Sequence, residues 1–137
     1  MKFHNPGASL FIPDGSPVAE AANRVTHLGV GAHQDDLEFM AFHGILECFD
    51  SSELRFGGVT CTNGHGSSRT GAHGGRTDRE IGALRIAEQN AAAVIGRYAL
   101  MAQLDYPSAV VNNPGDARLT EDLFEILRAT RPKVVYT

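Results

Sequence analysis

Hydrophobic and polar positions along this chain switch between two periods, and the switches mark its elements. Residues 25–30 form an apolar run closed by Gly31-Ala32, which reads as a buried strand. The period then lengthens. Leu37, Met40, Ala41, Gly44, Ile45 and Cys48 recur at i, i+3, i+4, i+7, i+8 and i+11, which predicts a helix over 36–48. Phe39, Phe42, Leu46 and Phe49 widen its apolar surface, so protein is expected on both sides of it. A second strand is predicted at 54–62, near-continuously apolar from Gly57 as buried parallel strands are. Thr77 and Glu80 read as a capping box opening a second long helix, with Gly96 as its stop and Ile81, Leu84, Ala91, Ala92 and Ile95 as its buried stripe. A third strand follows at 98–104. A helix from about Thr120 is expected to turn Leu123, Phe124, Ile126 and Leu127 inward and to end before Pro132, because the residue ahead of a proline leaves the α region. Residues 133–137 read as a fourth strand.

Ahead of these, residues 1–15 show no periodicity and read as a lead-in arm. Ser16-Pro17 then opens a short helix with Val18, Ala21 and Ala22 on one face. Helices and strands therefore alternate, which predicts an α/β fold with a parallel sheet and right-handed crossovers. With the common order 3-2-1-4, the fourth strand lies beside the first. Two parts are expected: an arm and helix over 1–24, and one domain over 25–137.

Composition narrows the functional classes. The chain has 137 residues, enough for one domain, and 42% hydrophobic with 20% charged residues is ordinary for a globular protein. Its net charge of −4, with two lysines and arginines scattered rather than striped, speaks against a nucleic-acid surface. No apolar run approaches the ~20 residues of a membrane span. Cys48 and Cys61 fall within apolar patterns and read as small hydrophobes rather than a disulfide framework, which fits a cytoplasmic setting.

The chemistry concentrates at Ala32-His33-Gln34-Asp35-Asp36, the seam between the first strand and the long helix. Ligands collect at such seams in open α/β sheets. The His33 imidazole suits zinc, and the Asp36 carboxylate three residues on can reach the same ion. Asp35 is then left to act as a base toward water. The plainer reading is that these aspartates only cap a helix amino terminus. Residues 63–76 form a glycine-rich loop carrying His65 and His73 and no acid, either functional or without fixed structure. Arg85 and Glu88, three apart on the second long helix, can pair.

Several of these stretches together resemble the PIG-L/LmbE-like superfamily of zinc-dependent de-N-acetylases. Ala32-His33-Gln34-Asp35-Asp36-Leu37 is similar to its Ala-His-Pro-Asp-Asp-Glu signature, and Thr62-Asn63-Gly64 to its Thr-x-Gly. Arg85-Ile86-Ala87-Glu88 resembles its Arg-x-x-Glu helix, Leu104-Asp105-Tyr106-Pro107 its Leu-Gly-Tyr-Pro, and Arg131-Pro132-Lys133-Val134-Val135 its Arg-Pro-Asp-Val-Val. The resemblance implies a Rossmann-like three-layer sandwich and hydrolysis of an acetyl group from an N-acetylglucosamine-type sugar or conjugate. It implies His33 and Asp36 as zinc (Zn2+) ligands and Asp35 as the general base. Arg85, Glu88 and His65 would lie on the substrate side. Gln34 and Leu37 depart from the signature. The family's third ligand is a histidine beyond the fourth strand, so the chain is expected to be the amino-terminal part of a longer one. His65 and His73 are the alternatives for that third position.

Two other classes compete. Gly29-Val30-Gly31 begins a dinucleotide-type glycine turn, but Gln34 stands where its third glycine belongs and no acidic ribose partner ends the second strand. A catalytically incomplete fragment or sugar-binding scaffold of the same fold is the other. For a chain that stops at Thr137, association between copies is expected through exposed apolar surface and any unpaired strand edge.

Overall fold

The computed structural model describes residues 1–70 and 74–137. Five strands, β1 (Ser9–Phe11), β2 (His27–Gly31), β3 (Phe56–Thr62), β4 (Leu100–Tyr106) and β5 (Val134–Tyr136), form one open sheet in the order β1-β4-β3-β2-β5. All neighbours are parallel except β1, which runs antiparallel to β4 with Leu10 opposite Ala102. The fold is thus the expected α/β sandwich with a mainly parallel sheet, and its four parallel strands take the expected order. Among the described residues it has five strands rather than four. The fifth is β1, drawn from the predicted lead-in arm, where Leu10 and Ile12 pack against the core on one sheet face.

Period-two alternation sorts the strand residues onto two faces. Leu28, Val59, Leu100, Ala102 and Leu104 join Ile126 of helix α6 (Arg118–Thr130) and Ala22 of α1 (Val18–Arg24). Phe56 and Met101 point the other way, to Leu37, Ala41, Ile45, Cys48 and Ala93. Those residues belong to α2 (Asp36–Met40), α3 (Phe42–Phe49) and α4 (Asp78–Ile95), with Ala41 between the first two. The single helix expected over 36–48 is therefore two, divided at Ala41, whose φ of −116° and ψ of 15° leave the helical region.

Glycines bring α2 onto the sheet. A Cβ at Gly29 would stand 2.9 Å from Leu37 Cδ2, and one at Gly58 would stand 2.8 Å from Leu37 Cδ1. A Cβ at either position would force Leu37 to move, so Leu37 sinks between two strand glycines and is fully buried. This fixes how near the start of α2, and the turn before it, lie to the strand ends.

Not every predicted face is buried. Phe39, Phe42 and Leu46 are 86%, 54% and 55% exposed, so α2 and α3 meet protein on one side only. On α4 the buried residues are Ile81, Gly82, Gln89 and Ala93, with Ile86 half-buried, while Ile95 and Ala91 face outward. Of the predicted stripe Ile81 is buried and Leu84 and Ala92 are half-buried; Ala91 and Ile95 missed because the stripe counted apolar residues alone, whereas this helix also seats small residues and one amide against the sheet. On α6, Ile126 is buried but Phe124 and Leu127 are exposed, and the inward polar residues are Asp122 and Thr130. Asp122 accepts from the Tyr106 hydroxyl at 2.7 Å and from the His4 backbone N–H at 2.9 Å, fastening the amino-terminal segment. A short α5 (Ser108–Val111) occupies the loop after β4. The α4 boundaries are as expected: Thr77 and Glu80 make a complete capping box and Gly96 ends the helix.

Candidate active site

The turn after β2 remains tied to β3, because the Thr62 N–H donates to the Ala32 carbonyl at 2.8 Å. The chain then reverses into α2 through Asp35, whose φ of 73° is left-handed. This conformation turns the Asp35 carboxylate away from the helix, where it makes no cap hydrogen bond. It meets Arg85 instead: Nη2 donates to Asp35 Oδ2 at 2.5 Å and to the Gln34 carbonyl at 3.3 Å. Through Nη1 the same guanidinium donates to Glu88 at 2.7 Å. Burial works against the Arg85 charge, but the bonds and charges of Asp35 and Glu88 outweigh it and hold its pKa above the ordinary value. The Arg85–Glu88 pairing expected from spacing is therefore present, and Asp35 is joined to it.

His33 and Asp36 lie side by side. Asp36 Oδ2 accepts from the His33 backbone N–H at 2.8 Å and stands 3.7 Å from His33 Nδ1. Two ligands of a tetrahedral zinc at ~2.0–2.1 Å are about 3.3 Å apart, so a small side-chain adjustment suits this nitrogen and oxygen to one ion. Both side chains are open to solvent. Among the described residues, no group of three or more His, Cys, Asp or Glu is arranged to hold a metal. His65 does not complete such a group. Its ring lies over α4 at Gly82, where a Cβ would come within 2.6 Å of Nε2. His73 lies outside the described residues.

Gln34, where the family signature has proline, is buried. Its Nε2 donates to the Thr62 carbonyl at 3.2 Å and approaches Gln103 Oε1 at 3.4 Å, tying the turn to β3 and β4. Gln103 in turn donates to Asn90 and to the Ile86 carbonyl on α4, both at 3.0 Å. Leu37, the other departure, is core rather than site. Sequence reasoning missed Gln89, Glu38 and Tyr98. Gln89 accepts from the Asp35 N–H at 3.0 Å and donates to Glu38 at 3.0 Å, and Tyr98 donates to Glu38 at 2.8 Å. The one signal was position, since Gln89 sits at helical spacing from Gly82 and Ala93.

Beside Arg85 a cavity of about 330 Å³ is lined by Ser67, Ser68, Ile81, Leu84, Arg85 and Glu88. Cys61 is buried near Asp36; burial, and then the Asp36 charge, push its thiol up to about 11, so it behaves as a packed hydrophobe.

The family model PIG-L, described as GlcNAc-PI de-N-acetylase, matches residues 28–137, four of the five strands and the whole turn. The chain belongs to the PIG-L family. Neither the comparison with curated proteins nor that with solved structures gave a match. The PIG-L match begins within β2 and ends with β5, so β1 and α1 lie outside it. Within the matched span, Asp105 stands at a φ of 57°, where the family's glycine would sit without steric cost. PIG-L membership gives a deacetylase-type hydrolase. Among the described residues no helix is long and apolar enough to cross a membrane.

Proposed function

We propose that this PIG-L protein is a zinc-dependent amide hydrolase that removes an acetyl group from an N-acetylglucosamine-type sugar or conjugate. One observation carries the reading: the Asp35 carboxylate is not spent on capping α2 but faces Arg85 beside His33 and Asp36. That weakens the plain helix-cap reading of the paired aspartates. His33 and Asp36 would hold zinc, which when bound would polarise the acyl carbonyl and make water a better nucleophile. Asp35 accepts the proton of the attacking water and passes it to the departing amine, leaving acetate. Arg85 holds Asp35 in place through a charge-assisted bond and is held in turn by Glu88. The cavity along α4, lined in part by Arg85 and Glu88, would take the sugar, with His65 contributing from its place over Gly82 on the same helix. Free, buried Cys48 and Cys61 support a cytoplasmic setting.

A second reading, a sugar-binding scaffold without chemistry, is favoured by there being only two donors together among the described residues. Acetate release from an N-acetylglucosamine conjugate, measured alongside metal content by mass spectrometry, separates the two. Stoichiometric zinc with acetate release supports the hydrolase. Sugar binding without zinc and without acetate supports the scaffold.

A further inference from the structure

Asp35 is gripped from three sides. Its carbonyl accepts from the Glu38 and Phe39 N–H groups at 3.1 and 3.3 Å, which starts α2. Its carboxylate is held by Arg85 and its backbone N–H by Gln89 Oε1. Arg85 and Gln89 are four apart on α4, so one helix face presents both to the same residue. A left-handed backbone at a residue other than glycine persists only where its surroundings over-determine it. Here α4 supplies that determination.

Gln89 is itself fixed. It is fully buried, and its amide has one possible orientation: the Asp35 N–H requires an acceptor and the Glu38 carboxylate requires a donor. Glu38 Oε1 also accepts from the Tyr98 hydroxyl, and the Tyr98 ring packs on Phe56 with centroids 4.8 Å apart. The chain of contacts thus runs from the core aromatics through Glu38 and Gln89 to the backbone of Asp35. Simple filling of space would be served as well by methionine, and a lone buried amide on an otherwise small and apolar helix line would be unfavourable without these partners.

We infer that Gln89, backed by Glu38 and Tyr98, is a positioning residue that sets the Asp35 turn and so aims its carboxylate. This rests on the reading of Asp35 as the base only for its catalytic consequence; the geometric claim stands on the turn itself. Displacements of about 1 Å at a reacting group cost on the order of 10²-fold in rate.

The test uses the whole chain and two variants. Gln89→Met keeps the volume and removes both hydrogen bonds. The double variant E38Q/Q89E reverses the polar groups but keeps all three bonds. The carboxylate it places on α4 accepts from the Asp35 N–H and from the amide it places on α2, and the oxygen of that amide accepts from Tyr98. Amide hydrogen–deuterium exchange of the peptide spanning 33–39, in metal-free protein, is the first readout, with the α6 peptide as control. Q89M should exchange at least tenfold faster in that segment alone, and the double variant should stay within about threefold of the parent. In the acetate assay Q89M should lose ~10–100-fold in kcat with KM within twofold and zinc content unchanged, and the double variant should recover. Parent-like protection in Q89M, or a double variant as open as Q89M or unable to fold, overturns the inference. If Q89M itself does not fold, a folded and protected double variant upholds it. A parent protein that releases no acetate sinks the hydrolase reading, and the exchange data then judge the turn alone.

Discussion

At Asp35 the left-handed backbone separates two adjacent, chemically identical carboxylates, sending one to Arg85 and the other to His33. The division predicts different phenotypes. Asp35→Asn keeps shape and the metal donors, so turnover should fall by ~10²–10⁴ while zinc content holds. Turnover left intact would mean that another group takes the proton. His33→Ala should strip zinc from the purified protein, and His43→Ala should not, since His43 only meets the Tyr136 ring edge-on at 5.0 Å. Equal loss in both would misplace the metal. These residues were legible because strand, small residues, histidine and paired acids fall in a fixed order at one seam. Gln89 was not, because a buried amide among apolar positions reads as a gap in a stripe until its partners, some fifty residues away in sequence, are seen.

For the elements, α2 illustrates what a motif comparison hides. Leu37 looks like the loss of a first-turn carboxylate, yet it is the residue through which α2 seats on Gly29 and Gly58. Leu37→Ala should cost about 2–5 kcal/mol in urea unfolding, the usual range for a buried leucine. Leu37→Glu, which restores the signature residue, should be worse because it buries a carboxylate without a partner. A neutral Leu37→Glu would show that α2 can shift its register. Strand and helix order was readable from the alternation of periods and from the α4 capping box. The failures share a cause: Phe39, Phe42, Leu46, Phe124 and Ile95 are apolar at helical spacing but lie off the narrow lines that touch the sheet. Periodicity reports apolar residues, while burial depends on where the partner surface stops.

Taken as a whole molecule, the protein gains pH dependence from groups other than the proposed base and metal donors. The Ser16 backbone N–H and hydroxyl, and then Arg24, hold the Asp14 carboxyl down at about 2 against an ordinary 3.8. A carboxyl with a lowered folded pKa stabilises the protein above its unfolded value and stops doing so as pH falls through the folded one. Asp14 therefore supports the fold above about pH 4 and loses that role toward pH 2, with a small effect because it is half exposed. For Cys61 the sign reverses. Its thiol, raised by burial from 9.0 to about 11, favours the fold below pH 9 and costs stability as pH climbs through that interval. Urea midpoints across pH should decline at both ends. Asp14→Asn should flatten the acid limb and Cys61→Ala the alkaline one; limbs unmoved by these changes would assign them to other groups.

The sheet order has a consequence for the sequence of events during synthesis. The central strands β2, β3 and β4 pair in the order in which they leave the ribosome, each with the one before it. The edge strands do not. β1 emerges first yet can only dock on β4, with Ser9 opposite Gln103, and β5 must return across the whole domain to lay Val134 beside His27. Both closures span most of the chain and carry the entropy of long loops. In chain order every residue that grips the turn at Asp35, from α2 through α4, precedes β5, so the grip on the turn needs nothing from the strand that closes the flank next to β2.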